Sequence, residues 1–79
     1  MAEFEAVATA ADLECLDSDD IVAGYRAGLR GEPAPTSAHS RSYWHGHRNG
    51  LVDSGRAELD AAQHALAAEL YPRRAGALH

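Results

Sequence analysis

Asp19-Asp-Ile-Val-Ala-Gly24-Tyr-Arg-Ala-Gly28-Leu-Arg-Gly31, then Gly46-His-Arg-Asn-Gly50-Leu51: the chain states one short phrase twice. Gly24-Tyr25-Arg26-Ala27-Gly28-Leu29 is answered by Gly46-His47-Arg48-Asn49-Gly50-Leu51. Glycines four apart lie on one face of a helix, where they form a flat strip. Each glycine costs a helix ~1 kcal/mol relative to alanine. Four such glycines in two short helices imply that two backbones approach closely. The expected fold is all-α: a small three- or four-helix domain with two Gly-rich helices packed closely across a Pro-containing loop. Tyr25, Leu29, Trp44 and Leu51 are expected to close the edges of the seam. The plainer alternative is that the glycines make room for Trp44 or Tyr25.

The flanks mark out helices. Asp17-Ser18-Asp19-Asp20 offers Asp17 or Ser18 as a cap, with acids at the positive end of the helix dipole. Ile21, Val22, Tyr25 and Leu29 form the apolar stripe. Gly31 is a natural left-handed stop, followed by Pro33. Residues 32–38 hold two prolines and read as a connector whose length suits two antiparallel helices. Ser37 or Ser40 caps the next helix, which begins near 40 and carries Trp44, Leu51, Gly55, Leu59, Ala62, Leu66 and Leu70 on one face. Unbroken to Tyr71 it would be very long, so Asp53-Ser54-Gly55 reads as a kink or break. Arg56 to Tyr71 is Ala-rich and helix-forming, Pro72 ends it, and the tail to His79 is expected to be loose. Before the twin phrase, residues 3–16 read as an acidic helix with Phe4, Val7, Ala11 and Cys15 at near-helical spacing. Thr9 with Asp12 resembles a capping pair, which would start the regular helix only there. The segments are thus an acidic extension (1–17), the helix-loop-helix (18–55), and an Ala-rich helix with its tail (56–79).

With 79 residues the chain makes one small domain with a marginal core. Its one cysteine excludes an internal disulfide and suits a reducing compartment, and Cys15 is expected to serve as a small apolar residue on a helix face. The apolar runs are too short to span a bilayer, and Met1-Ala-Glu-Phe-Glu lacks signal-peptide character, so a cytoplasmic protein without membrane partners is expected. The net charge of −5 is unevenly spread: −7 over residues 1–20, +3 over 21–57 and −1 over 58–79. All seven basic residues are arginine, the side chain best suited to forked contacts with phosphate. Arg26 and Arg30 share one helix face; Arg41 and Arg48 share a face of the other helix. With Tyr25 and Tyr43 they form the candidate RNA- or partner-binding set. A solvated charged face is the plainer alternative. His39, His45, His47, His64 and His79 have no metal-ligand spacing and read as surface or interface histidines. No phosphate loop or supported triad appears, so no catalytic residue, metal or cofactor is assigned.

Gly24-Tyr25-x-Ala27-Gly28-x-x-Gly31, a Pro-bearing loop, then Arg41-Ser42-x-Trp44-x-Gly46 resembles the ribosome modulation factor family, including short relatives described as ciprofloxacin-modifying proteins. The resemblance covers residues 21–50. It implies two main helices joined by a loop, rRNA binding on the small ribosomal subunit, and promotion of inactive ribosome dimers in non-growing cells. This chain has a shorter loop than the founding members, an acidic rather than basic balance, no lysine, and extensions on both sides. Fewer cations predict weaker, salt-sensitive RNA binding. The expected function is therefore a non-enzymatic ribosome- or RNA-associated modulator. The alternative is a protein-interaction module or inhibitor, including a phage- or plasmid-encoded nucleic-acid mimic, that uses the acidic N-terminal helix. A homodimer is compatible with either.

Overall fold

A computed structural model describes residues 4–70. Four helices are present among them: α1 (Ala10–Glu14), α2 (Ser18–Leu29), α3 (Arg41–Asp53) and α4 (Ala61–Leu70). The described residues contain no strand, so the expected all-α class is observed. The chain divides into two compact units. One comprises residues 1–5 and 16–58; the other comprises 6–15 and 59–79. These units cut the chain differently from the segments 1–17, 18–55 and 56–79.

In the first unit, short polar side chains fix where each helix begins. Asp17 caps α2, its carboxylate accepting the Asp20 N–H at 3.1 Å. Ser40, not Ser37, caps α3 by accepting the Tyr43 N–H at 3.1 Å. Both helices end in the same motif. Gly31 has φ +70° and Gly55 φ +81°, the only left-handed residues described. Gly31 N–H bonds Gly28 O and Glu32 N–H bonds Ala27 O; Gly55 N–H bonds Val52 O and Arg56 N–H bonds Leu51 O. This is the Schellman closure, in which a left-handed residue satisfies the last carbonyls of the helix. The break at Gly55 is therefore complete. Arg56–Asp60, expected to be helical, are not, because Arg56 closes α3 with its own N–H.

The glycine strips meet. A Cβ built on Gly24 would lie 1.9 Å from Tyr43 O, and one on Gly46 would lie 1.9 Å from Ile21 O. For Gly28 and Gly50 the nearest oxygens are His47 O and Tyr25 O, each at 2.2 Å. All these neighbours are backbone atoms, so the glycines serve a backbone seam rather than the bulk of Trp44 or Tyr25. The hydrogen that stands where each Cβ would be is directed at a carbonyl of the other helix. Such Cα–H···O contacts are worth ~0.5–1 kcal/mol each, and this geometry recurs four times.

The order of the contacts fixes the direction. Gly24 meets Tyr43 and His47, whereas Gly28 meets His47, Gly50 and Leu51. Moving forward along α2 moves forward along α3, so the helices run parallel, contrary to the antiparallel expectation. Matching ends are tied together. At the start, Ser40 Oγ donates to Asp20 Oδ2 at 2.8 Å and Asp17 N–H donates to Ser42 Oγ at 2.8 Å. At the far end, Tyr25 Oη donates to Asp53 Oδ2 at 2.5 Å and Arg56 Nη1 donates to Leu29 O at 2.9 Å. The connector has to travel back along the pair. A 12-residue helix is about 18 Å long, and the residues from Arg30 to Ser40 can span up to about 36 Å, so the return is easily made. His47 records its passage: Nε2 donates to Glu32 O at 3.0 Å.

The pair also has a local two-fold relation. Adding 22 to the number of an α2 seam residue gives its α3 counterpart: Ile21 and Tyr43, Gly24 and Gly46, Tyr25 and His47, Gly28 and Gly50. These residues line the seam. Leu29 and Trp44 do not close it as expected: Leu29 is exposed and Trp44 lies on the outward side of α3.

In the second unit, Thr9 Oγ1 accepts the Asp12 N–H at 3.1 Å and starts α1 at Ala10. That is the later of the two starts expected; residues 4–8 are not helical. Cys15, expected as a small apolar residue on a helix face, is the C-cap of α1 and is exposed. Asp60 and Gln63 cap α4 reciprocally: Gln63 N–H donates to Asp60 Oδ1 at 2.9 Å and Asp60 N–H donates to Gln63 Oε1 at 3.0 Å. This capping box delays the helix to Ala61. Glu69 Oε1 accepts the Ala10 N–H at 3.0 Å and so joins α4 to α1. Val7 and Leu66 are buried. The expected end at Tyr71 and the tail to His79 lie outside the described residues.

Candidate functional site on the outward helix faces

The seam sorts the arginines. Successive residues of a helix turn by about 100°, so Arg26, two residues from both Gly24 and Gly28, points away from the seam. Arg30, one turn on, shares its face. Arg48 stands in the same relation to Gly46 and Gly50, and Arg41 lies two turns before Arg48. The structure therefore pairs Arg26 with Arg30 on the outside of α2, and Arg41 with Arg48 on the outside of α3. It does not gather all four into one patch. Tyr25 and Tyr43 belong to the seam edge: Tyr25 bonds Asp53, and the Tyr43 ring stacks between those of His39 (4.3 Å) and His47 (6.4 Å).

The two outward faces differ. On α2, Val22, Ala23, Arg26, Leu29 and Arg30 are all exposed. Arg30 Nε lies 2.6 Å from Glu32 Oε2, an exposed pair of the kind worth little. On α3, the Arg48 guanidinium carbon sits 4.5 Å from the Trp44 ring centroid. A guanidinium over an indole is the strongest common form of cation–π contact. The Phe4 ring stacks on the same indole at 5.4 Å and 21°. Arg41 Nε donates to Glu5 O at 2.9 Å. Trp44, Arg41 and Arg48 are half-buried.

His45 completes the α3 face and is 4% exposed. Asn49 Nδ2 donates to its Nε2 at 3.2 Å, which requires an unprotonated nitrogen there. Burial lowers the His45 pKa, and the charges of Arg48 and Arg41 lower it further. Burial also lowers the pKa of Arg48, whose guanidinium stays charged in proteins. The Tyr25 pKa is raised, first by its hydrogen bond to Asp53, then by burial and the Asp53 charge. His45 and His47 are thus interior groups, not the surface or interface histidines expected. His47 lies along the seam and His45 on the outward side of α3, and each has a polar partner, Glu32 O for His47 and Asn49 Nδ2 for His45.

Sequence reasoning missed Phe4, Glu5 and Arg56. Phe4 was placed on a helical stripe that Thr9 cuts short. Arg56 bonds the last-turn carbonyl of α2, where a cation meets the negative end of the dipole. Among the described residues, no group of three or more His, Cys, Asp or Glu is placed to hold a metal ion. No described helix is long and apolar enough to cross a membrane. Comparison with protein-family models, curated proteins and solved structures returned no match.

Proposed function

We propose that this chain is a small non-enzymatic regulatory binding protein of the ribosome- or RNA-associated kind, acting in the cytoplasm. The observation that carries this reading is the α3 outward face, where Arg48 lies over Trp44 at 4.5 Å with Arg41 on the same side. An aromatic plane beside guanidinium groups offers stacking to a base and charge to its phosphate. The twin-phrase resemblance points the same way. The glycine seam supports it by holding these side chains on a rigid helix. The protein's overall negative charge limits the phosphate contacts to a few, so affinity is modest and salt-sensitive.

Co-sedimentation with purified ribosomes and titration with rRNA, at low and at physiological salt, test the proposal. Trp44 is the sole tryptophan, so its fluorescence reports the site directly. Absence of binding at low salt would sink the reading.

A second reading is favoured by one observation on α2. Val22 and Leu29 are 48% and 38% exposed on the face that carries Arg26 and Arg30. Apolar residues around arginine suit a protein partner. Crosslinking from an introduced cysteine at Val22 distinguishes the two, since this reading expects protein adducts that survive nuclease treatment.

A further inference from the structure

The first unit includes a short piece of chain remote in sequence from the helix pair. Residues 4 and 5 precede α2 by more than ten residues and belong to no helix. They nevertheless reach the outward face of α3. The Phe4 ring stacks on Trp44, and the Glu5 carbonyl accepts from Arg41. One contact is a flat ring against the indole. The other is an oxygen acceptor against a guanidinium. A nucleotide brings the same two features, a planar base and phosphate oxygens.

We infer that Phe4–Glu5 is a resident ligand of the Trp44–Arg41–Arg48 face, occupying the place of an unpaired nucleobase and its phosphate, and that RNA binding requires its displacement. This inference rests on the RNA-binding reading and adds its regulation. The strap suits displacement. Its contacts include a ring stack and a hydrogen bond through a backbone carbonyl, and Glu5 is exposed. Around it the sequence is acidic, with Glu3 and Glu5 on either side of Phe4 in the chain. An incoming phosphate competes with the Glu5 carbonyl for Arg41. The strap would screen out weak polyanions and admit a ligand that both stacks and carries charge.

The test uses the whole chain, a single-stranded oligoadenylate at low salt, and acrylamide quenching of Trp44. Phe4→Ala leaves the net charge unchanged, so any gain in affinity is not a long-range charge effect. The variant should quench more readily and bind the oligonucleotide about tenfold more tightly, the scale of one base–aromatic stack. Phe4→Tyr should restore both properties. In the native protein, the Phe4–Trp44 ring-to-ring nuclear Overhauser effect should vanish as oligoadenylate saturates, a readout that does not depend on a variant folding. Unchanged quenching in Phe4→Ala overturns the strap. So does a Phe4–Trp44 contact that persists in the complex. Native and variant chains that bind equally well overturn the competition while leaving the functional reading standing. If neither binds although quenching rises, the functional reading falls, and the displacement role falls with it.

Discussion

Helices α2 and α3 are near-copies on their inner faces and unlike on their outer ones. Inside, Gly24 and Gly46 each hold a carbonyl of the opposite helix where a Cβ would be, at the same 1.9 Å, and Gly28 and Gly50 match at 2.2 Å. Outside, Val22 answers Trp44 and Arg26 answers Arg48, yet the α2 residues are exposed and the α3 residues half-covered. The repeat is therefore architectural. It specifies how two backbones meet and leaves each outer face free to differ. On the proposed reading, recognition belongs to the asymmetry.

The largest expected effect breaks the inner match. Gly24→Ala and Gly46→Ala each drive a methyl into backbone, which cannot rotate aside, so the loss should reach or exceed the top of the ~1–3 kcal/mol range for overpacking. Urea unfolding followed by circular dichroism measures it. Equal losses support the two-fold relation; a much smaller loss at Gly46 would show that the seam is symmetric in shape but not in energy. Next comes Gly55→Ala. An added Cβ there meets nothing within 4 Å, so only the backbone at φ +81° resists. The expected cost is about 1–2 kcal/mol, and the same unfolding curves separate this strain from the seam's steric clash.

A smaller effect distinguishes the outer faces by pH. The folded-state pKa of His45 is depressed, mainly by burial. Its stabilising contribution is fully present above the ordinary value near ~6.5 and is lost as pH falls from there through the folded pKa. Melting temperature should drop over that window, and His45→Gln should flatten the drop; α2 has alanine at the corresponding position and adds no such dependence. An unaltered pH profile in the variant would remove His45 from the account. The smallest effect is at Arg30→Ala. Its partner Glu32 is exposed, so the change should stay within ~1 kcal/mol in thermal melts.

These features were unequally legible in the sequence. The seam could be read because glycine at i, i+4 has few other uses in a helix that must hold together. The stop at Gly31 could be read too, and the caps at Asp17 and Thr9 were each one of two alternatives, since each depends on residues within one turn. Direction was not legible: a connector of this length can turn back or run the full length, and only the seam contacts decide. The burial of His45 and His47 was hidden for a related reason. A polar ring becomes an interior group when the fold brings it a partner, and the partner of His47 is a connector carbonyl that arrives only in a parallel pair. Of the face drawn from the sequence through Leu59, Ala62, Leu66 and Leu70, only Leu66 is buried, together with Gln63, while Leu59 and Leu70 are exposed. On the candidate site, the outward direction of the arginines was foreseen. Their division between two faces and the ring of Phe4 on Trp44 depend on tertiary placement.

Parallel pairing also bears on how this chain folds. In an antiparallel hairpin the contacts nearest the turn form first and cheaply, and the rest zip up behind them. Here the seam contacts join residues 19 to 25 apart from one end to the other. None is close enough in sequence to nucleate its neighbours. The loop entropy falls due at the first contact, and doubling the loop would add only about 0.6 kcal/mol. Assembly of α2 on α3 should thus be a single docking of preformed helices, slower than a helical hairpin of equal size but tolerant of a longer connector.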